Sequence, residues 1–183
     1  MSTVQASKFM SYVLRHRPDA IGLTLDAEGW ASIDELVRLS RSSSTPLTRE
    51  LVLEAVRSND KQRFKLSDDE QHIRASQGHS IAIDLALPSQ QPPTLLFHGT
   101  ATRFVESIRE QGLRRGSRQH VHLSLEYATA YKVGQRHGKP IVFEVRAQEM
   151  FAAGHTFYVS DNGVWLTEHV PVEFLSLTDQ AGE

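Results

Sequence analysis

Arg114, Arg115 and Arg118 fall close together in the stretch Leu113–Ser124, LRRGSRQHVHLS. Guanidinium groups carry planar forks of N–H donors that match the oxygens of phosphate, so arginines gathered on a glycine-containing loop suit an anion. The loop leads into Val121, His122, Leu123 and Ser124, whose alternation predicts a strand aiming polar groups at one face, with a helix after it. His98-Gly99-Thr100, expected at the end of a strand starting at Leu95, sets an imidazole, a backbone amide without a side chain and a hydroxyl side by side. That trio can hold a ribose or an amide by hydrogen bonds, glycine permitting close approach. The plainer alternative is a buried histidine beside a turn. His120 and His122 are two apart, and a strand would turn both to one face, as two metal ligands would lie. No cysteine is present and no carboxylate pattern stands nearby, so no metal is expected.

The chain that must position these groups has 183 residues, enough for one domain or two small ones, and its apolar fraction of 39% is adequate for a core. No apolar run approaches the roughly 20 residues of a spanning helix. The amino-terminal sequence lacks the pattern of a secretory signal, and the absence of cysteine excludes a disulfide framework and a cysteine nucleophile. These features predict a soluble protein of the cytoplasm. A net charge of −2 argues against unspecific coating of nucleic acid but leaves room for a local basic patch.

In order along the chain, Ser7–His16 predicts a helix with Phe9, Tyr12 and Val13 at helical spacing, closed by Arg15, His16 and Arg17 and stopped by Pro18. Cations at that end suit the helix dipole. Ile21–Asp26 alternates as a short strand. Ser32 and Glu35 form a capping box for a helix carrying Leu36, Val37 and Leu39, and a second helix is expected over Leu47–Val56. Gln62–Ser67 and Gln71–Ser76 predict a hairpin whose acidic turn lacks the favoured glycine. Helices followed by a small hairpin are the order of a winged helix. Ile81–Ala86 is a further short element, and the proline-rich run after Leu87 marks a linker and a domain boundary. The domains expected are 1–87, a linker at 88–94, and 95–183. The second half predicts a helix at Thr102–Gln111 capped by Gly112, and a helix at Glu126–Arg136 with Tyr127, Ala130 and Tyr131 inward. Strands are expected at Ile141–Val145, Phe157–Val159, Val164–Thr167 and Val172–Leu177, making an α+β domain. No GxGxxG, GxxxxGK[ST] or GxSxG motif appears.

SKFMSYVLRHRPDAIGLTLDAEGW, KQRF, FHGT, RQHVHLS, VGQRHG and NGVWLT, in that order, resemble the RNA 2′-phosphotransferase family from about Ser7 to Leu177. Phe97, where tyrosine is common, is a mild departure. The resemblance implies a winged-helix RNA- and phosphate-binding lobe beside an ADP-ribosyltransferase-like lobe that binds NAD. It also implies removal of an internal 2′-phosphate from RNA, the step that finishes tRNA splicing in eukaryotic members. There the phosphate attacks the ribose carbon bearing nicotinamide. The neighbouring ribose hydroxyl then attacks phosphorus, leaving 2′-OH RNA and ADP-ribose 1″,2″-cyclic phosphate. Carried onto this sequence, the family's catalytic set falls on Arg15, His16, Arg63 and Arg118. The NAD-binding positions fall on His98, Gly99, Thr100, His122, Ser124 and Val164. Protein-directed relatives of that NAD fold often have glutamate where Val164 stands, and a phosphate dianion needs no base to act as a nucleophile. His16 is the expected proton carrier of the second step, a hydrogen bond to phosphate alone being the other possibility.

The expected partners are RNA bearing a 2′-phosphate and NAD, acting on a monomer with no membrane partner. Two rival readings share part of this pattern. An ADP-ribosyltransferase acting on nucleic-acid ends or protein would keep the NAD lobe but leave Arg15, Arg63 and Arg118 unexplained. A non-catalytic RNA-binding module would carry broken motifs, and none is broken.

Overall fold

In the computed structural model, which describes residues 1–178, the chain starts its first helix earlier than the apolar spacing suggests. Ser2 accepts from the Gln5 backbone at 3.2 Å, and the Gln5 side chain accepts from the Ser2 backbone at 3.0 Å. This capping box satisfies two otherwise orphaned donors, so α1 runs from Thr3 to Arg15 rather than from Ser7. Its stripe of Ala6, Met10, Val13 and Leu14 is buried together with Ile33 and Leu36 of α2 (Ile33–Ser40) and Val52 and Ala55 of α3 (Arg49–Arg57). Ser32 caps α2 by accepting from the Glu35 backbone, while the Glu35 carboxylate lies 3.8 Å from Arg38. Thr48 caps α3 in the same way. Strands β1 (Ala31–Ser32), β2 (Phe64–Leu66) and β3 (His72–Ala75) form an antiparallel sheet in the order β1-β3-β2, whose Ile73, Phe64 and Ala75 close the core. In the β2–β3 turn Glu70 takes the left-handed conformation (φ 53°) where glycine would be favoured.

Two short elements expected in this half are absent. Ile21–Asp26 is not a strand: Pro18–Ile21 is a 3-10 turn, Gly22 sits at φ 69°, and the Leu23 amide turns back to the Pro18 carbonyl. The alternation of Ile21, Leu23 and Leu25 reflects burial against the helices without a pairing partner. Ile81–Ala86 is likewise irregular, held by the Asp84 amide on the Ala27 carbonyl, with Leu85 buried.

These residues make one compact unit, Met1–Leu87; a second begins at Pro88. The second unit is built on β4 (Leu96–Ala101), which pairs antiparallel along its whole length with β7 (Pro140–Val145). Strand β11 (Leu175–Leu177) flanks β7 on its other side. Proline at the first position of β7 costs no ladder bond inside the sheet. His98, Gly99 and Thr100 therefore lie inside a strand, not at its end. A second sheet, in the order β6-β9-β8, joins β6 (Val121–Leu123), β9 (Trp165–Thr167) and β8 (Phe157–Val159). Reciprocal backbone bonds between Phe97 and Ser124, at 2.9 and 2.8 Å, tie it to β4. The remaining elements are α4 (Val105–Gln111), α5 (Tyr127–Gly134), α6 (Ala147–Ala152) and a ribbon of β5 (Leu113–Arg114) with β10 (His169–Val170).

Helix α4 is preceded by a 3-10 turn at Thr102–Phe104, and another such turn at Val172–Phe174 shortens the last strand. Helix α5 stops at Gly134 rather than Arg136, and its Tyr131 is 39% exposed rather than inward. The inward groups are small. A side chain on Gly99 would collide with the Ala130 carbonyl, and one on Gly134 would stand 2.6 Å from the Thr100 carbonyl. Helix α5 thus lies directly on the β4 backbone, and glycine at 99 and 134 permits it. Helices and small antiparallel sheets give an α+β protein. Among the described residues no helix is long and apolar enough to cross a membrane.

Candidate active site

In the first unit the chain brings the end of α1 against the start of β2 and the segment after β3. Arg15 closes α1, and its Nη2 donates in long contacts to the Arg63 carbonyl at 3.4 Å and to the Gln77 Oε1 at 3.5 Å. The same Arg63 carbonyl accepts the Ser76 amide at 2.9 Å, which fixes β2 to the end of β3. His16, just beyond the helix and exposed, pairs its Nδ1 with the Ser80 hydroxyl at 2.9 Å, and the Ser80 amide donates to the Arg15 carbonyl at 2.9 Å. Arg15, His16 and the backbone of Arg63 are thereby collected at one place from two distant parts of the sequence. Arg17 is drawn away into an exposed pair with Asp19 at 2.9 Å, which holds the Asp19 carboxyl below its usual range.

Beneath this cluster His79 is 1% exposed, and neither ring nitrogen has a hydrogen-bond partner among the described residues. Burial, with the charges of Arg15, His16 and Arg74 adding to it, lowers its pKa from 6.5 to about 4. The unfolded chain therefore binds one proton more than the folded one between those values, so stability is full above pH 6.5 and falls as acid is added. We expect a loss of order 3 kcal/mol across that window from this residue. Urea unfolding at a series of pH values measures it, and the slope should flatten in His79→Leu. An unchanged slope in the variant would show that His79 is not the group responsible.

In the second unit His98 is half-buried, and that burial holds its pKa below the ordinary imidazole value. Its Nδ1 meets the His122 carbonyl at 3.1 Å; a carbonyl only accepts, so Nδ1 carries the hydrogen. Arg118, exposed on the loop after β5, reaches the His122 Nδ1 at 3.2 Å. A guanidinium only donates, so that nitrogen offers its lone pair and the ring hydrogen sits on Nε2. Arg118, His122 and His98 form one chain of contacts. Ser124 is held by its backbone to Phe97, and Thr100 is buried within β4. Val164 lies in the turn before β9, its amide donating to the Ser160 hydroxyl at 3.1 Å. The side on which Gly99 lacks a side chain is filled by α5. His120 precedes β6 instead of sharing it with His122, and packs edge-on to Tyr158 at 5.6 Å. Among the described residues no group of three or more acidic or histidine side chains is disposed to hold a metal ion.

The residues singled out from sequence thus form two sets, Arg15, His16 and Arg63 in one unit and His98, His122 and Arg118 in the other. Sequence reasoning missed Gln77, His79 and Ser80. The signal was available, since Gln-Gly-His-Ser after a strand is a run of polar side chains around a glycine, but it fell between two expected elements.

A fold of this kind, with clustered arginines and histidines in each unit, suits an enzyme that handles phosphate esters. Residues 1–169 match the family described as RNA 2′-phosphotransferase, Tpt1 / KptA family. A protein of Acaryochloris marina is 58% identical over 168 residues, covering 92% of this chain and 93% of the relative. One of Agrobacterium fabrum is 54% identical over 178 residues, covering 97% and 95%, and one of Pseudomonas fluorescens is 57% identical over 170 residues, covering 92% and 93%. Each bears the name "Probable RNA 2'-phosphotransferase". The chain belongs to the RNA 2′-phosphotransferase family, a family of transferases.

Proposed function

We propose that this protein removes an internal 2′-phosphate from RNA at the expense of NAD. The observation that carries the proposal is the collection of Arg15, His16 and the Arg63 backbone around the end of α1. Guanidinium groups can surround a phosphate dianion and stabilise charge as it moves through the reaction, the role that the family resemblance gives Arg15, Arg63 and Arg118. Helices followed by the β2–β3 hairpin support a winged-helix reading of the first unit. The second unit is read as an ADP-ribosyltransferase-like lobe that holds NAD through His98, Gly99, Thr100, His122, Ser124 and Val164. The donor set fits a nucleotide sugar: His98 is kept neutral by burial with its Nδ1 committed, which suits Nε2 to accept from a ribose hydroxyl.

When bound, NAD supplies a ribose carbon with nicotinamide as its leaving group, and the 2′-phosphate ends on ADP-ribose as a 1″,2″-cyclic phosphate. The resemblance gives Arg15, Arg63 and Arg118 the task of holding the phosphate and neutralising its charge. Val164 provides no carboxylate, and none is needed for a nucleophile that is already an anion. His16 accepts the proton released when a ribose hydroxyl attacks phosphorus, and returning it to the departing RNA oxygen gives the 2′-OH. The setting of this chemistry is the cytoplasm.

The test is one incubation with NAD and a short RNA bearing a single internal 2′-phosphate, its products resolved by chromatography. Nicotinamide, 2′-OH RNA and ADP-ribose cyclic phosphate should appear together, and Arg118→Ala should suppress them. ADP-ribose retained on the RNA by the unaltered protein would indicate transfer without phosphate removal. No consumption of NAD would overturn the proposal.

A further inference from the structure

We propose that Ser80 is a positioning residue for His16, and that Gln77–Ser80 is a clamp that aims the end of α1 at its substrate. The inference rests on the reading of His16 as a group that meets the 2′-phosphate. The last carbonyls of a helix have no partner within it. Here the Arg15 carbonyl is answered from outside, by the Ser80 amide at 2.9 Å. The Ser80 hydroxyl meets the His16 Nδ1, also at 2.9 Å. One residue therefore grips both the frame that carries His16 and the ring itself. His16 lies beyond the regular helix at φ −127°, where the helix no longer dictates its direction. Anchoring Nδ1 fixes the plane of the ring and so the direction in which Nε2 points, which is the geometric demand on a group that must move a proton to or from a reacting oxygen.

The other members of the segment fit the same purpose. Gln77 supplies an acceptor to the Arg15 guanidinium at 3.5 Å. Gly78 sits at φ 89°, and the position its side chain would take lies 3.7–3.8 Å from the Arg15 guanidinium, so the clamp passes close alongside that arginine. His79, between Gly78 and Ser80, is buried beneath the cluster and pins the segment to the unit's interior. The clamp thus has one buried anchor and a polar hold on each of two adjacent residues, Arg15 and His16.

Steady-state turnover of the 2′-phosphorylated RNA with NAD should be measured for Ser80→Ala, Ser80→Thr, His16→Ala and the Ser80→Ala/His16→Ala double variant, beside their thermal midpoints. Losing a hydrogen bond that orients a working group should lower kcat about 10-fold in Ser80→Ala, with the KM for NAD and the thermal midpoint unchanged. Ser80→Thr, which keeps the hydroxyl, should recover most of the rate. The double variant should be no slower than His16→Ala, because Ser80 acts through that ring. If His16→Ala is impaired and Ser80→Ala is not, the clamp is wrong while the phosphate-site reading stands. Additive losses in the double variant, or a loss that follows a fallen midpoint and is not rescued by threonine, would also overturn it. Full activity in His16→Ala would remove both the clamp and the reading on which it rests.

Discussion

Gly99→Ala should cost at least about 3 kcal/mol and lower the thermal midpoint of the second unit by about 10 °C or more. The added methyl would have to occupy the space of the Ala130 carbonyl oxygen, which is backbone and cannot rotate aside. Accommodating it means lifting α5 off β4, and with it the close approach of Gly134 to Thr100. Strand β4 is also the strand that pairs with β7 along its length and bonds to Ser124 through Phe97, so its displacement disturbs both sheets. Gly116→Ala is the control. Gly116 also has a positive φ, 60°, but nothing lies within 4 Å of the added carbon, so only the backbone strain of about 1–2 kcal/mol applies. Calorimetry of the two variants separates them. Equal midpoints would mean that the contact between α5 and β4 relaxes at little cost.

Arg15→Ala should lower kcat/KM for the 2′-phosphorylated RNA by about 100-fold or more, the loss typical of removing one donor to charge that develops in a transition state. On the proposal that the second unit holds NAD, its affinity should not change, because Arg15 belongs to the first unit. Arg15→Lys should recover little. The arginine is held by its own Nη2, at the Arg63 carbonyl and at Gln77, and the planar fork of a guanidinium matches the oxygens of phosphate. An ammonium has neither the fork nor the reach to make both kinds of contact. Turnover within threefold of the unaltered protein in Arg15→Ala would take this residue out of the phosphate site.

The helices of the first unit were legible because their apolar residues recur at helical spacing and their caps are chemically distinctive; Ser32 is one such case. The capping box at Ser2 was equally readable, and it moves the start of α1 to Thr3. Ile21–Asp26 misled because burial of alternate residues is a property strands share with irregular segments laid across a core, and only a partner strand distinguishes the two. Tyr131 misled for the opposite reason: α5 faces β4 through glycine and alanine, so its large apolar residues are not its buried ones. Spacing along the chain identified single groups such as His98 and Arg118. What it could not give was the contact of Ser80 with His16, which depends on where the chain after β3 returns.

His98 and His122 hold their hydrogens in opposite senses, and this gives the His98 ring a polarity. Its Nδ1 hydrogen is spent on the His122 carbonyl, so the far side of the ring has only a lone pair to offer. An oxygen that carries a hydrogen can answer it; an oxygen without one, in a ketone or a phosphate ester, meets lone pair with lone pair. On the proposal that this lobe holds NAD, the ring would act as a filter that admits a sugar hydroxyl and turns away the same sugar once that hydroxyl has been esterified.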